Sequence, residues 1–295
     1  MTVKRLSLRG YAEAIYKIVN KGLKMQINHN NHLHSINKPP FYGSKVFDFN
    51  KETEKEAFDM INKIRLFRAG FGYSTKNQDM EKYNEMIKNK VEPKYKEMKN
   101  NIVENNLMEV VMIYGFYKTF TENDKLFIFD AEDNKLTDKI IEIPLERMPK
   151  EPYNSIVDFF DEKEDTIGFT VVSLGNKFAN FLKMLYDNSD YKDYYFYNAI
   201  GINIIENYVD ILQTNMDNLL CLKNNGKRKH VGCRYSFGYK ALTNMFGNRI
   251  IFDRLKPERF GITLTESYMM DPELTTCAIV SFCEDAYYFA NWLIY

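Results

Sequence analysis

The chain lacks long apolar runs, and it lacks an excess of charge of either sign. Among its 295 residues, Lys plus Arg and Asp plus Glu each number 40, so the formal net charge is zero. Proteins that bind the nucleic-acid backbone usually carry a clear basic excess, so this balance argues against that class of partner. No segment approaches the roughly 18 apolar residues that indicate a membrane-spanning helix. Residues 1–22 have no uninterrupted apolar core, which argues against a signal peptide.

Cysteine and the common catalytic motifs are also scarce. The four cysteines form no CxxC pair, which is typical of free thiols in a reducing cytoplasm, and we expect a cytoplasmic protein. Walker, GxGxxG and GxSxG motifs are missing, which argues against nucleotide-phosphate enzymes and Rossmann dehydrogenases. A Ser-His-Asp triad built from distant residues stays open. His29, His32 and His34 have neither cysteine nor an HExxH pattern beside them, so we predict no metal site.

Composition and periodicity divide the chain into two parts. Hydrophobic residues make up 45% and aromatic residues 15%, which predicts a packed globular interior. Residues 25–46 are polar and rich in Asn and His, so we predict that residues 1–50 form an N-terminal arm. Residues 51–104 are strongly charged with apolar positions at helical spacing, which predicts a helical lead-in. We expect this lead-in to belong to a single domain that spans residues 51–295.

Beyond residue 105 the periodicity changes from helical to strand-like. Predicted strands cluster, and predicted helices lie between and before them without regular alternation, which favours an α+β fold with a mainly antiparallel sheet over a doubly wound parallel sheet. The predicted strands are 108–117, 125–130, 139–144, 166–174, 261–267 and 277–282, with 287–295 as a further candidate. The predicted helices are 178–185, 194–220 and a short one near 252–255.

The sharpest local signal is a loop that combines arginine, glycine and aromatic residues at 232–239. Arg234 offers a forked, permanently charged donor set that can grip a carboxylate with two hydrogen bonds. Gly238 allows the backbone to approach a flat ligand, and Tyr239 beside it can stack or hydrogen-bond. An ordinary turn with a surface arginine explains the same residues, because short motifs of this kind recur by chance.

Two other segments carry polar residues on one predicted face. In the predicted helix 194–220, apolar residues form a core face, and a stripe that includes Glu206 and Asp210 lies opposite. A lone glutamate on such a stripe is usually solvated. In 261–267, Thr and Ser alternate with apolar residues, as in a strand that either supports a ligand or simply faces water. The pattern alone therefore assigns no function to these residues.

Several ordered motifs resemble the activation (reactivation) domain of cobalamin-dependent methionine synthase. RYSFGY at 234–239 is similar to the family's Arg-x-x-x-Gly-Tyr motif, and GITLTES at 261–267 to its Gly-(hydrophobic)-x-Leu-Thr-Glu-Ser strand. The pair Tyr287-Tyr288 resembles the aromatic pair near the family's C-terminus. Upstream, residues 112–120, 157–160 and 165–175 agree with family segments in order and spacing. The resemblance covers residues 105–295 well and 55–104 loosely.

The resemblance implies a helmet-like α+β fold with a curved, mainly antiparallel sheet flanked by helices. It also implies that S-adenosylmethionine binds in a shallow groove and that its methionyl carboxylate pairs with Arg234. An acidic contact, Glu206, suits the ammonium and sulfonium of that ligand. The adenosine would lie against the loop from Gly238 to Ala241, and Tyr287 or Tyr288 would close the site. The residues that the resemblance places at the ligand are Glu206, Arg234, Gly238, Tyr239, Ala241, Tyr287 and Tyr288.

The chemistry that the resemblance implies needs no catalytic side chain. In that family, cob(II)alamin takes an electron from a flavodoxin-like donor and then a methyl group from S-adenosylmethionine, so the protein positions the methyl donor. The expected partners are therefore a separate corrinoid-binding methionine synthase module, which carries cobalamin, and a flavodoxin-like electron donor. The function implied is reactivation in methionine biosynthesis.

The sequence departs from the family pattern at the ligand loop. Residues 240–243 read Lys-Ala-Leu-Thr, where the family usually has Pro-Ala-Cys-Pro, and basic residues crowd 227–229. The chain has no Asp-x-His-x-x-Gly cobalamin loop and no paired-cysteine zinc site. These departures leave two other hypotheses open. One is a non-catalytic interaction or assembly protein that keeps the fold without the ligand, and the other is a methyltransferase for a different acceptor.

Overall fold

The computed structural model describes residues 38–75, 79–149, 153–223, 226 and 228–289. They all belong to one compact unit, Ile36–Tyr295. Most of the predicted arm, its three histidines and the segment 290–295 lie outside the described residues. Within the described part of the chain, no helix is both long enough and apolar enough to span a bilayer.

The described residues form seven α-helices. α1 begins after Asn50, whose side chain accepts hydrogen bonds from the backbone N–H groups of Glu52 and Thr53. A π-helical turn extends α2, and a second one joins α3 to α4. The bounds are α1 Lys51–Asp59, α2 Lys63–Arg65, α3 Met80–Met86, α4 Glu92–Glu104, α5 Gly175–Asp187, α6 Tyr191–Leu219 and α7 Gly247–Leu255. Short 3₁₀ helices lie at Ile156–Phe159 and Pro257–Phe260.

Seven of the described strands form one sheet. Six of them lie side by side in the order β4-β3-β2-β5-β9-β6. The remaining strand, β1, pairs with β2 at 113–116, on the edge that β3 uses at 119–122. All pairs between the described strands are antiparallel, so the predicted α+β class is confirmed. The bounds are β1 Gly43–Val46, β2 Val111–Glu122, β3 Lys125–Glu132, β4 Lys135–Pro144, β5 Asp165–Ser173, β6 Cys233–Tyr235, β7 Thr263–Leu264, β8 Met270–Asp271 and β9 Thr275–Ser281; β7 and β8 form a separate pair.

The sheet separates two apolar layers. Alternate residues of β2 show this, because Met112 and Phe116 belong to the cluster that contains α6, whereas Ile113 and Tyr117 belong to the cluster that contains α7. All four side chains are buried. Helix α6 therefore covers one face of the sheet and α7 the other. The apolar face predicted for α6 is the face that packs, since Ile200 and Ile204 are fully buried there.

Three local predictions are corrected by the structure. Residues 43–46, assigned to the arm, form β1, because Phe41 packs edge-on against Tyr114 and Phe116 and holds this segment on the sheet. The predicted strand 261–267 keeps only the two residues of β7, since the following residues form a turn closed by the Tyr268 N–H bond to the Thr265 carbonyl. The candidate strand at 287–295 is absent over 287–289, the part that the structure describes.

Candidate functional site

Arg234 lies in the middle of β6, the edge strand next to β9. Its neighbours Cys233 and Tyr235 pack into the α7-side layer, so the alternation of the strand directs Arg234 to the α6 side. There its Nη2 donates to Oε2 of Glu206 over 3.0 Å. The structure thus brings together two residues that are 28 positions apart in sequence and that the resemblance placed at one ligand.

The Arg234–Glu206 pair leaves part of the guanidinium unsatisfied. The arginine side chain is 21% exposed and the glutamate side chain 58%. The Nη1 atom of Arg234 is buried and has no hydrogen-bond partner among the described residues. This nitrogen therefore retains the capacity to donate to one further acceptor. A carboxylate has the geometry to supply it.

The loop after β6 is folded tightly on itself. Gly238 has a φ of +85°, a conformation that favours glycine, and its N–H donates to the Leu242 carbonyl over 2.7 Å. The N–H of Leu242 returns to the Tyr239 carbonyl over 2.9 Å. Leu242 is buried, whereas Tyr239 is 63% exposed and Ala241 is half-buried. The loop therefore presents Tyr239 to solvent from a fixed backbone.

The structure distinguishes the two C-terminal tyrosines. The Tyr287 hydroxyl accepts a hydrogen bond from Nδ2 of Asn154 over 2.7 Å, and the Tyr287 carbonyl accepts one from the Tyr235 hydroxyl over 2.9 Å. Tyr288 stacks on Tyr235 with ring centroids 6.3 Å apart. Partial burial raises the pKa of the Tyr288 hydroxyl, and neighbouring Tyr239 raises it further. Tyr288 is therefore the member of the pair that lies near Tyr239 of the loop after β6.

A cavity of about 530 Å³ lies under the far end of this loop. Ala241 and Lys240 line it, together with Phe237 and the segment 142–149. Phe237 belongs to the α7-side layer, so this cavity and the Arg234–Glu206 pair lie on opposite faces of the sheet. A second cavity, of about 420 Å³, lies between α1 and α4. Neither cavity is lined by the arginine and the glutamate together.

Sequence reasoning missed an ionic cluster next to the site. His230 lies between Asp210 and Asp217, with Nε2 3.2 Å from an oxygen of the first and Nδ1 3.6 Å from an oxygen of the second. Burial alone would lower the pKa of His230, but the two carboxylates raise it above its usual value. The seven-residue spacing of the aspartates on α6, followed by a basic run at 227–230, was the available signal. In the described part of the chain, no group of three or more His, Cys, Asp or Glu is placed to hold a metal.

Comparison with known proteins gives a matching family and two related chains. The family model for the vitamin B12 dependent methionine synthase activation domain matches residues 73–294. Methionine synthases of Mycobacterium leprae and Mycobacterium tuberculosis are each 21% identical to the chain, over 275 and 276 residues. Each alignment covers 85% of this chain, which spans only 23% of the length of either relative.

The fold is also that of a solved structure. The crystal structure of the MetH reactivation domain bound to AdoHcy superposes with a TM-score of 0.67 at 16% identity, covering 85% of this chain and 82% of that one. At this identity the likeness establishes the fold alone. Because the family model matches far more than half of the residues, the chain belongs to the family of vitamin B12 dependent methionine synthase activation domains.

Proposed function

We propose that the protein binds S-adenosylmethionine and supports the reductive methylation of cobalamin carried by a separate corrinoid protein, such as a module of a split methionine synthase. Family membership supports this proposal, as does the AdoHcy bound to the solved reactivation domain of the same fold. The cobalamin of the partner supplies the methyl acceptor when the two proteins meet. The role of this chain is to bind and orient the methyl donor.

The observation that carries the proposal is the unpaired Nη1 of Arg234 beside Glu206. The ligand carries a carboxylate next to an ammonium and a sulfonium. The arginine can bind the carboxylate once its side chain turns the buried, unpaired nitrogen towards the ligand, and the glutamate provides the opposite charge that the two cationic groups need. A site with one fixed cation and one adjacent anion therefore matches the charge pattern of the methionyl part.

The ion pair between Arg234 and Glu206 is weak enough for a ligand carboxylate to displace Glu206 from the guanidinium. Because Glu206 is more than half exposed, its pairing with Arg234 is worth at most about 1 kcal/mol. A two-bond contact between arginine and carboxylate is stronger than this, since both partners are charged and the geometry is bidentate. We expect Glu206 to turn from the guanidinium towards the ligand ammonium on binding.

The adenosine part is assigned to the loop that follows. Gly238 lets the backbone approach a flat ring, and the exposed face of Tyr239 is available for stacking, with Tyr288 next to it. Ala241 keeps the family residue at its position, although Lys240, Leu242 and Thr243 do not. The tight hydrogen bonds of the loop support a preformed backbone surface despite these substitutions.

The partners follow from the same proposal. The chain would dock on a corrinoid-binding methionine synthase module and act with a flavodoxin-like electron donor, in the cytoplasm. We expect the corrinoid partner to meet the methyl donor near Tyr239 and Tyr288, whose side chains are exposed. No catalytic side chain is proposed.

Calorimetric titration of S-adenosylmethionine tests the ligand site. Arg234→Ala should weaken binding by roughly 1.5–3 kcal/mol, about tenfold to a hundredfold in Kd, because a charged bidentate contact is lost. Arg249→Ala is the matched control, since Arg249 is half-exposed and pairs with Asp253 on α7 away from the site. No binding by the natural chain, or equal binding by both variants, would refute the proposal.

A second candidate function is an interaction or assembly protein that has lost the ligand. The altered residues of loop 240–243, and the absence of Arg234 and Glu206 together from either cavity described above, favour it. Co-purification with the corrinoid module separates the two functions. A reactivation module should bind the partner in a manner that depends on S-adenosylmethionine, whereas an assembly protein should bind it equally with and without the ligand.

A further inference from the structure

The segment that leads into β6 is attached to α6 by charged side chains that ligand binding does not use. His230 is only 11% exposed and lies between Asp210 and Asp217 at the distances given above. Lys229 contacts the same Asp210 carboxylate. The backbone N–H of Val231 donates to Oδ2 of Asp217 over 3.3 Å. Three consecutive residues of the segment therefore contact two acids of one helix.

The placement of both ring nitrogens favours the charged imidazolium. A neutral imidazole has a single N–H, so one of its nitrogens would direct a lone pair at a carboxylate. The imidazolium directs an N–H at each carboxylate: Nε2 is within hydrogen-bond distance of Asp210, whereas Nδ1, at 3.6 Å from Asp217, makes an ion-pair contact without a hydrogen bond. Asp217 is buried, and its Oδ1 has no hydrogen-bond partner among the described residues, so the positive charge of His230 is its main compensation. Consistently, His230 and Lys229 lower the pKa of Asp210 against the opposing effect of burial.

The backbone between His230 and Arg234 is held close to β9, so the position of His230 affects the position of Arg234. A Cβ atom on Gly232 would lie 1.8 Å from the Ser281 carbonyl oxygen, so the chain runs directly against β9 at this point. Cys233 then pairs with Ser281, and Arg234 follows on the α6 side. Arg234 returns to α6 at Glu206, one helical turn before Asp210. The segment is thus fixed at His230 on one side and at the strand on the other.

We propose that His230 is a positioning residue for Arg234. By bridging Asp210 and Asp217, the imidazolium holds the segment 229–233 against α6, and this sets the place where the guanidinium meets a ligand carboxylate. The inference rests on the proposed binding of S-adenosylmethionine. The affinity of the site for S-adenosylmethionine then depends on the protonation of His230, which is not part of the ligand.

The direction of the pH dependence follows from the groups that face the ring. These are Asp210 and Asp217 from α6 and, on its own segment, Lys229 through Asp210. His230 has a pKa above its ordinary value of about 6.5. The bridge is therefore complete below that ordinary value and is lost as the pH rises through the pKa of the folded state. Ligand affinity should fall over the same range.

The test compares variants by calorimetry with S-adenosylmethionine from pH 6 to pH 9. At pH 6, His230→Gln should bind about fivefold to tenfold more weakly than the natural chain, the loss expected when one charge-assisted contact is removed indirectly. The ratio of the two Kd values should approach one at high pH. Because the ligand's own ammonium also titrates, this ratio is the quantity to follow. Lys183→Gln, which removes an exposed pair on α5, should match the natural chain throughout.

An NMR titration of the His230 ring measures the bridge without any ligand. The resonance is assigned by its loss in His230→Gln, and its pKa should lie above 6.5 and fall in Asp217→Asn. In that variant the drop in affinity should move to lower pH, which serves as the test if His230→Gln does not fold. A ratio of Kd values that is independent of pH, or a His230 pKa at or below 6.5, would overturn the positioning role. No binding by the natural chain at any pH would instead refute the proposed function, and the NMR titration would still decide whether the bridge exists.

Discussion

Replacement of Gly232 by alanine should separate β6 from β9. The added Cβ would lie 1.8 Å from the Ser281 carbonyl oxygen and 2.7 Å from its carbonyl carbon. Both are backbone atoms, so no side-chain rotation relieves the contact, and the strands must separate by roughly 1 Å or more to restore van der Waals distances. The φ of Gly232 is not in the left-handed region, so alanine is not otherwise strained there. We expect a loss of about 3 kcal/mol in the free energy of unfolding, the upper end of the usual cost of overpacking.

Thermal and urea unfolding of Gly232→Ala measure this loss, and a loss of about 3 kcal/mol should lower Tm by roughly 6–12 °C in a domain of this size. Gly70→Ala is the control, because its Cβ would meet side-chain atoms rather than backbone, the flexible end of Leu66 at 2.9 Å and the Ala199 Cβ at 3.2 Å, and its φ is also outside the left-handed region. The effect of the control should be smaller. Gly232→Ala should also weaken ligand binding, since Arg234 lies two residues further along β6. Equal stability of Gly232→Ala and the natural chain would refute the reasoning.

Two further predictions concern the reactivity of thiols and the two C-terminal tyrosines. At pH 8 a thiol reagent should label exposed Cys221 first, and Cys277, whose pKa burial raises to about 12, should react only after unfolding; rapid labelling of Cys277 in the folded protein would contradict this. Tyr288→Ala should weaken S-adenosylmethionine binding by about 0.5–1.5 kcal/mol through lost aromatic contact. Tyr287→Phe should leave it unchanged, since the Tyr287 hydroxyl bonds to Asn154; the reverse ranking in calorimetry would exchange their roles.

The sequence predicted the elements whose periodicity is long. Helix α6 was expected at 194–220 and spans Tyr191–Leu219, because a regular apolar face over many turns leaves little choice. β1 and β6 were not predicted. β6 has only three residues and no alternation long enough to detect, and β1 follows a polar, proline-containing stretch. Both strands form because a neighbouring strand is already present, and a single sequence does not show such neighbours.

The strand expected at 261–267 shows how a polar alternation can mislead. Its Thr and Ser residues were interpreted as one face of a strand. In the structure the Thr265 hydroxyl instead accepts a hydrogen bond from the Met269 N–H over 3.1 Å and lies 3.1 Å from the Ser267 hydroxyl, so these side chains close a turn. Hydroxyl groups that bond to nearby backbone compete with the strand ladder, and local spacing does not reveal which prevails.

The sequence predicted only those residues of the candidate site that the resemblance to the family covers. Arg234 and Glu206 were placed together by resemblance, and the structure supplies the contact between them. The contribution of α6 beyond Glu206 was not foreseen, because a polar stripe on a helix is usually solvated. The sequence did not show that Asp210 and Asp217 form ion pairs, because the fold brings the segment 228–231 into contact with them.

Helix α6 therefore makes two kinds of contact, one with the sheet and one with the charged segment before β6. Its apolar face packs against the sheet, and its acidic face forms ion pairs with His230 and with Arg234. Taking a guanidinium out of water is costly unless its donors are satisfied, and a half-exposed Glu206 compensates only part of that cost. In its proposed role, the attachment at His230 keeps the arginine in this incompletely satisfied position. In the proposed complex a ligand carboxylate completes the pairing, so part of the cost of burying the guanidinium is recovered on binding.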